Sequence, residues 1–266
     1  MFELLLPFFL LVLFFLVLSI IWRINGRKYI SSGTVASAYD AWTQDKLLER
    51  LWGEHIHLGF YPSGKENIDF RKAKVHFVHE LVKWSGLDKL PKGSRILDVG
   101  CGIGGSSRIL AEYYGFNVTG ITISPAQVKR ARELTPYGLN CNFQVMDALD
   151  LKFEDGSFDA VWSVEAGAHM NDKTRFADEM LRTLRPGGYL ALADWNSRDL
   201  VANPPSFFEK LVLKQLLEQW VHPNFISINE FDNILRTNKN SSGRVISGNW
   251  NSYTNPSWYD SILEGI

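Results

Sequence analysis

Residues 95–105 have the sequence RILDVGCGIGG, and this stretch decides the fold of the chain. After Arg95, residues 96–99 form a short apolar run, interrupted by Asp98, of the kind that a buried parallel strand requires. The glycines that follow allow positive φ angles and let the backbone approach a ligand closely. A helix is expected from about Ser106, and the free N–H groups of its first turn would face that ligand. The stretch therefore predicts a strand, a glycine loop and a helix that together form a binding site.

The glycine spacing, Gly100-x-Gly102-x-x-Gly105, matches the dinucleotide fingerprint, but two features argue against NAD. Asp98 stands two residues before the first glycine, where a dinucleotide site usually has an apolar residue. The next predicted strand, residues 117–122, is not followed by the acid that would bind a ribose 2′-hydroxyl. An acid before G-x-G instead resembles the first motif of the class I methyltransferases, which bind S-adenosylmethionine. An ordinary strand-to-helix turn is the alternative.

Strands and helices alternate regularly from Ser94 onward, which predicts an α/β fold with a doubly wound, Rossmann-like parallel sheet. The predicted strands cover residues 95–99, 117–122, 142–146, 158–164 and 189–194, followed by a short sixth strand at 244–250. The predicted helices cover residues 105–114, a segment after Pro125, 173–184, 205–220, 227–236 and 256–264. We assign residues 93–266 to this domain.

The composition describes a globular chain of 266 residues, with 45% hydrophobic and 21% charged residues. A formal net charge of −1 gives no basic footprint for nucleic acid. The two cysteines, Cys101 and Cys141, form neither a disulfide framework nor a zinc site, which is typical of a reducing compartment.

Residues 4–22 are nineteen consecutive residues without a charge. As a helix this run is roughly 28 Å long, close to the hydrocarbon thickness of a bilayer. A cleaved signal peptide is the alternative, but it would require a basic start, and the only early charge is Glu3. The basic residues of this region lie on its C-terminal flank: Arg23, Arg27 and Lys28. We therefore expect residues 1–25 to be a single-pass anchor, with the rest of the chain on the cytosolic or stromal side.

A polar linker, residues 26–33, separates this segment from residues 34–92, where apolar residues recur at helical spacing. Within residues 53–62 the helical pattern is broken, and His55 and His57 stand two residues apart. These histidines have no acidic or cysteine partner at ligand spacing, so we expect no metal site. The aromatic residues around them favour a loop that covers an aromatic substrate.

Several longer segments carry a family resemblance. They are YDAW at 39–42, WGEHIHLGFY at 52–61, ILDVGCGIGGSSRILA at 96–111, VTGITISPAQVKRA at 118–131, FQVMDAL at 143–149, FDAVWSVEAGAHM at 158–170 and LRPGGYLALADW at 184–195. Over residues 34–266 the chain resembles the γ-tocopherol and prenylquinol methyltransferases. The resemblance implies that residues 34–92 are lid and substrate helices. It also implies a plastid or cyanobacterial membrane and a prenylated quinol taken from the bilayer.

Within that family, the segments EAGAHM and ADWNSRDL favour one reaction. This is S-adenosylmethionine-dependent C-methylation of a 2-methyl-6-phytyl- or 2-methyl-6-solanesyl-1,4-benzoquinol, in tocopherol and plastoquinone biosynthesis. Methylation of γ-tocopherol is the alternative. A membrane-anchored binding protein that keeps the fold without catalysis, and a nicotinamide enzyme, are alternatives of other classes.

The resemblance also implies roles for residues at the cofactor. Asp98 is expected to bind the cationic amino-acid end, and Asp147 the adenine amino group. Thr122 stands where an acid usually binds the ribose, and Tyr39 resembles a lid tyrosine. The full set expected at the cofactor is Tyr39, Asp98, Gly100, Gly102, Gly104, Thr122, Ile123, Ser124, Gln127, Asp147 and Ala148.

Glu165 and His169 follow the fourth predicted strand, at the carboxyl edge where doubly wound folds bind their ligands. In a helical turn their spacing would bring them to one face, and either could accept a phenolic proton. We expect them to be the catalytic pair, with His169 as the preferred base because its ordinary pKa lies near neutrality. A surface acid and a structural histidine are the alternative. His55, His57 and Trp195 are the residues expected at the quinol ring.

The family fold ends in an antiparallel pair, with the last strand inserted between strands five and six. Only the strand at 244–250 is predicted here, and no apolar run follows it. Either the chain is a fragment or the last antiparallel strand is missing, and its absence would leave an edge of the sheet unpaired.

Overall fold

The computed structural model describes residues 13–17, 27–62 and 68–263. The anchor predicted at residues 1–25 lies outside the described residues except for 13–17, which are helical. Among the described residues, no helix has both the length and the apolar character needed to cross a membrane.

Strands and helices alternate as predicted through the central part of the chain. The strands are β1 (Arg95–Val99), β2 (Asn117–Thr122), β3 (Cys141–Val145), β4 (Phe158–Val164) and β5 (Leu184–Ala193). Numbered from residue 32 onward, the helices are α1 (Ser32–Gln44), α2 (Leu47–Trp52), α3 (Phe70–Ser85), α4 (Gly105–Tyr114), α5 (Pro125–Leu134), α6 (Lys173–Thr183), α7 (Phe207–Trp220), α8 (Ile228–Thr237) and α9 (Asn251–Leu263). Short 3₁₀ turns cover Leu87–Lys89 and Gly167–His169.

The strands form one parallel sheet in the order β3-β2-β1-β4-β5, with β1 at its centre. Successive β1 residues point to opposite faces, and both faces are covered by helices. Ile96 packs in one core cluster with Leu81 and Leu110, whereas Leu97 packs in the other with Phe176. Burial on both faces explains why β1 is apolar after the exposed Arg95, apart from Asp98. The predicted doubly wound α/β fold is confirmed.

The strand predicted at residues 244–250 is wrong, because this segment has no regular structure. Side-chain contacts with α8 fix it instead: the Arg236 guanidinium donates to the Val245 carbonyl at 2.7 Å, and the Ser247 hydroxyl to Asp232. The aromatic residue at the end of this segment, Trp250, packs on Phe77 of α3 instead of belonging to a strand. Among the described residues, no strand pairs with the outer edge of β5.

Helices α1 and α2 pack across the carboxyl edge of the sheet. The Asp40 Oδ1 atom accepts hydrogen bonds from the Ser124 hydroxyl at 2.5 Å and from the Ala126 N–H at 3.0 Å. An acid at a helix N-terminus is favourable, so this contact also stabilises α5. Glu49 of α2 makes a two-pronged ion pair with Arg130, at 2.6 and 2.8 Å. These contacts place α1 over the glycine loop.

Candidate active site

A cavity of about 480 Å³ lies at the carboxyl edge of β1, β2 and β4, beneath α1, α2 and α7. This is the usual position of a ligand site in a doubly wound sheet. Most of the residues predicted from sequence line it: Tyr39, His55, His57, Asp98, Gly100, Gly102, Thr122, Ile123, Gln127, Asp147, Ala148, Glu165, His169 and Trp195. Gly104 and Ser124 are not among the lining residues.

The glycines of the loop after β1 serve different purposes. Gly100, Gly102 and Gly104 all have positive φ angles, of 78°, 55° and 83°. A Cβ atom on Gly100 would come within 2.2 Å of the Ala166 Cβ, and one on Gly104 within 2.7 Å of Phe143, so both are required by protein packing. A Cβ atom on Gly102 would meet only the Gln127 amide, at 4.0 Å, and would enter the cavity. Gly102 is therefore the glycine that leaves room for a ligand.

Asp98 is the buried acid of this loop, with 2% of its surface exposed. Its Oδ2 atom accepts a hydrogen bond from the Ser107 hydroxyl at 2.5 Å. Burial raises the pKa of Asp98 to about 7, and the Ser107 hydrogen bond opposes that shift. A cation placed beside this carboxyl group in the cavity would stabilise its charged form.

At the end of β2, Thr122 and Gln127 form a polar wall. The Thr122 hydroxyl donates to the Gln127 side-chain carbonyl at 2.7 Å, which turns the Gln127 amide toward the loop. Ser124 is directed away, because its hydroxyl donates to Asp40 and accepts from the Gln127 N–H at 3.1 Å. The structure thus gives Ser124 a supporting role, capping α5, instead of a position on the cavity wall.

Asp147 and Ala148 line the cavity just beyond β3. The Asp147 Oδ1 atom accepts from the Leu149 N–H at 2.9 Å, which closes a tight turn and fixes the side chain. Within the described residues, its second oxygen has no hydrogen-bond partner. That oxygen is available to accept from an amino group.

Glu165 follows β4 with a positive φ angle of 52°, which is unusual for a residue with a side chain. Its Oε1 atom accepts from the Leu58 N–H at 3.0 Å, so it links the histidine-containing loop to the sheet. Burial raises the pKa of Glu165 to about 7, with a further rise from Asp194. A strained backbone and a near-neutral carboxyl group in one residue are typical of a functional position.

His169 has hydrogen-bond partners on both ring nitrogens. Its Nε2 atom lies 2.8 Å from the Tyr39 hydroxyl, and its Nδ1 atom 3.4 Å from the Val221 carbonyl. The second contact requires a donor, so Nδ1 carries the proton and Nε2 accepts from Tyr39. Burial lowers the pKa of His169 to about 4. The expectation that His169 titrates near neutrality is wrong, because the ring lies away from water.

The predicted pairing of Glu165 with His169 takes a different form. Both side chains line the cavity, but the turn between them is a single 3₁₀ turn, Gly167–His169. Within the part of the chain that the structure describes, they make no hydrogen bond to each other; Leu58 and Tyr39 are their partners instead. The two groups are thus oriented independently.

The loop that carries His55 and His57 is fixed from below by a buried lysine. The Lys74 Nζ atom donates to the His55 carbonyl at 2.6 Å, and the His55 Nδ1 atom lies 3.1 Å from the His57 Nε2 atom. The His57 Nδ1–H donates to the Leu58 carbonyl at 2.8 Å. Burial lowers the pKa of both histidines, to about 4 for His57, so both rings are neutral. They present flat, uncharged walls.

Comparison with known proteins decides what kind of enzyme this cavity serves. A family model described as a methyltransferase domain matches residues 97–192. Over 246 residues the chain is 55% identical to 2-methyl-6-phytyl-1,4-hydroquinone methyltransferase of Synechocystis sp., a match that covers 92% of this chain and 77% of that protein.

The chain belongs to this family of methyltransferases.

Three further comparisons place this chain among more distant relatives and solved structures. The chain is 36% identical to tocopherol O-methyltransferase of Arabidopsis thaliana, in a match that covers 80% of this chain and 64% of that protein. Among solved structures, the cyclase SpnF is 25% identical with a TM-score of 0.73, covering 90% of this chain and 83% of its own. A geranyl diphosphate C-methyltransferase from Streptomyces coelicolor has a TM-score of 0.67 at 21% identity, covering 87% and 86%, and so shares the fold.

The methyltransferase uses S-adenosylmethionine, and the cavity fits this cofactor. The space above Gly102 is open to a ligand, and a side chain at this position would fill that space. Asp98 offers a buried carboxylate to a cationic amino-acid end, and the Thr122–Gln127 wall offers hydrogen bonds to hydroxyl groups. Asp147 offers an acceptor at the far end. A charged end, a polar middle and an acceptor thus follow one another along the cavity.

Three residues of the methyltransferase cavity were not predicted from sequence: Trp52, Trp220 and His222. His222 stacks on His169 with ring centroids 4.2 Å apart, and Trp220 stacks on Trp52 at 5.5 Å. Trp52 ends α2, Trp220 ends α7 and His222 follows it, and the sequence does not indicate that these segments meet. The indole N–H of Trp52 is buried without a hydrogen-bond partner among the described residues, so it is a donor available to a bound ligand.

Proposed function

We propose that this enzyme transfers a methyl group to a ring carbon of a prenylated benzoquinol, with 2-methyl-6-phytyl-1,4-benzoquinol as the preferred acceptor and the solanesyl homologue as a second one. The 55% identity to the Synechocystis relative, over 92% of the chain, is the observation that carries the proposal. The cavity supports it, because aromatic and apolar side chains line it around Glu165, a buried carboxyl group with a pKa of about 7. The other cavity carboxyl group with such a pKa, Asp98, lies just before the glycine loop.

Glu165 is the preferred base in this reaction. A quinol hydroxyl loses its proton to the Glu165 carboxylate, which raises the electron density at the ring carbons beside it. A base with a pKa near the working pH suits this transfer, and Glu165 meets that condition while His169 does not. When bound, S-adenosylmethionine would supply an electrophilic methyl group on a sulfonium, which the electron-rich carbon would accept. That carbon then loses its ring proton to water, and the aromatic quinol is restored.

Tyr39 and His169 position the reactants. Because Nε2 of His169 accepts from Tyr39, the ring is fixed in one tautomer and α1 is held over the cavity. Tyr39 is itself a poor acid, since burial, followed by the Glu165 charge, raises its pKa. We assign these two residues to closure over the cofactor, and His55, His57 and Trp195 to the walls around the quinol ring.

The remaining cofactor contacts follow the order of the cavity wall. Asp98 binds the cationic amino-acid end and Thr122 with Gln127 the ribose, while Ile123 packs beside them. Asp147 accepts from the adenine amino group, with Ala148 against the ring. Gly100 and Gly104 shape the loop, and Ser124 supports it through α5.

We also propose that residues 1–25 anchor the enzyme in a plastid or cyanobacterial membrane. The nineteen uncharged residues at 4–22 and the basic flank support this proposal. A prenylated acceptor resides in the bilayer, so an anchored enzyme would meet its substrate there. In this division residues 26–33 are a linker, 34–92 the lid and substrate helices, and 93–266 the methyltransferase domain.

Methylation of γ-tocopherol is the second candidate, favoured by the 36% identity to the Arabidopsis tocopherol O-methyltransferase. The two functions separate in one assay. Detergent-solubilised enzyme with methyl-labelled S-adenosylmethionine would be offered each acceptor in turn. We expect label in the product of 2-methyl-6-phytyl-1,4-benzoquinol and none in that of γ-tocopherol; the reverse result would establish the second candidate.

A further inference from the structure

Helix α7 carries large apolar residues along its whole length, yet none of its residues is buried. Its first two turns have the sequence FFEKLVL. The exposed large side chains are Phe207 at 77%, Phe208 at 75%, Leu211 at 40% and Val212 at 66%. Four adjacent apolar side chains in water mark an interaction surface.

The two sides of α7 face different surroundings. Val212 and Leu216 line the active-site cavity, and Phe208 lines a wider groove of about 1310 Å³ beside β5. Phe207 and Leu211 line neither, although they are four residues apart and so share one helix face. This outward pair lies behind the part of the helix that forms the cavity wall.

Two lysines lie on the same face as the outward pair. Phe207, Lys210, Leu211 and Lys214 have the i, i+3, i+4, i+7 spacing of one helical stripe. The Lys210 side chain is exposed, and Lys214 is 70% exposed beside Glu218. Aromatic and aliphatic groups flanked by lysines suit the boundary between acyl chains and anionic headgroups.

The path of the chain brings this stripe close to the predicted anchor. The Arg27 N–H donates to the Glu218 carbonyl at 2.8 Å, and the Arg27 guanidinium lies 5.2 Å from the centre of the Trp42 ring. Arg27 is five residues beyond the apolar run at 4–22, a reach of at most about 17 Å. Leu211 is seven residues before Glu218, roughly 10 Å along the helix axis. The last turn of α7 is therefore attached to the segment that leaves the proposed anchor.

We propose that the first two turns of α7 lie in the surface of the same bilayer that holds residues 4–22, with Phe207 and Leu211 inserted among the lipids. The mouth of the cavity at Val212 and Leu216 then opens at the membrane surface, where a prenylated quinol can enter without crossing water. This inference rests on the proposed anchor and lipid substrate.

Site-specific labelling of the full chain in vesicles of phosphatidylcholine and phosphatidylglycerol tests the docking. An environment-sensitive fluorophore would be placed on Phe207→Cys or Leu211→Cys. The native thiols react poorly, because burial raises the pKa of both Cys101 and Cys141, the latter to about 12. Tyr137→Cys, fully exposed in the turn before β3, is the matched control. We expect nitroxide-labelled lipid to quench most of the emission at 207 and 211 and little at 137; equal quenching at all three would overturn the proposal.

Turnover tests the delivery of substrate. The double variant Phe207→Ser/Leu211→Ser should lose turnover on a vesicle-borne phytyl quinol and keep it on a short-tailed, water-soluble quinol. The delivery role would be overturned if the double variant kept full turnover on the vesicle-borne quinol, or if it lost turnover equally on both acceptors. If wild-type enzyme methylates neither quinol, the proposed function fails instead, while the quenching result still decides the docking.

Discussion

The hydroxyl group of Tyr39 lies 2.8 Å from Nε2 of His169, across 130 residues of sequence. The next residue, Asp40, accepts from Ser124, which caps α5 beyond β2. Two adjacent residues of α1 therefore tie this helix both to the turn after β4 and to the start of α5. The contact that holds α1 over the cavity also orients His169.

Removing the Tyr39 hydroxyl should cost stability through His169. In Tyr39→Phe the buried Nε2 atom loses its donor, which should lower the free energy of unfolding by about 1–3 kcal/mol. A double-mutant cycle with His169→Ala, measured by denaturant unfolding, should give a coupling of about 0.5–3 kcal/mol. Tyr29→Phe, another tyrosine of the cavity, is the control and should be additive. Additivity at Tyr39 would show that the contact is not formed.

Cofactor affinity should depend on pH through Asp98. Its pKa is about 7 in the cofactor-free cavity, so a falling pH neutralises the carboxylate and removes its attraction for a cationic amino-acid end. Calorimetry should therefore show tighter binding of S-adenosylmethionine as the pH rises through 7. Asp98→Asn should bind roughly 10- to 100-fold more weakly, about 1.5–3 kcal/mol, with a flatter pH profile. An unchanged profile would remove Asp98 from the cofactor site.

Substitutions at two glycines of the loop should have different effects, one on cofactor affinity and the other on stability. Gly102→Val places its side chain in the cavity, so cofactor affinity should fall more than stability. Gly100→Ala drives its Cβ into Ala166, so the melting temperature should fall most there. Thermal unfolding together with cofactor titration separates the two effects. Equal affinity of Gly102→Val and the wild type would refute the loop assignment.

Much of this arrangement follows from local sequence. After the exposed Arg95, β1 is apolar apart from Asp98 because both of its faces are covered, and the glycines after it are required by φ and by packing. The strand, the loop and the parallel sheet could therefore be predicted. The structure of residues 244–250 could not be predicted in this way, because Trp250 packs on Phe77 of α3 while Ile246 is exposed, and the segment pairs with no strand among the described residues.

The roles of Glu165 and His169 show where sequence reasoning ends. The ordinary pKa of histidine favoured His169 as the base, but burial moves His169 to about 4 and Glu165 to about 7. Burial depends on α1 and α7, which are distant in sequence from both residues. Local spacing correctly brought the two side chains to one cavity, whereas their proton affinities depend on tertiary packing.

The rate of methyl transfer should follow the ionisation of Glu165. With saturating cofactor, kcat/KM for the quinol should fall as the pH drops below about 7, because the base becomes protonated. Glu165→Gln should lose about 10²- to 10⁴-fold in turnover and keep cofactor binding. Asp194→Asn, which changes a neighbouring carboxyl group with a pKa of about 6, is the matched control. It should keep the acidic limb, moved to lower pH because the Asp194 charge raises the pKa of Glu165. If kcat/KM of Glu165→Gln still fell below about pH 7, the base would have to be another residue.

The most direct test of ring methylation by this enzyme is the position of the transferred carbon. Wild-type enzyme would be incubated with 2-methyl-6-phytyl-1,4-benzoquinol and S-adenosylmethionine carrying a ¹³C-methyl group, and the product examined by NMR. We predict a single labelled methyl resonance of the aryl-methyl type, coupled to ring carbons. A methoxy resonance, or the absence of any labelled product from this quinol, would contradict the assignment of ring C-methylation.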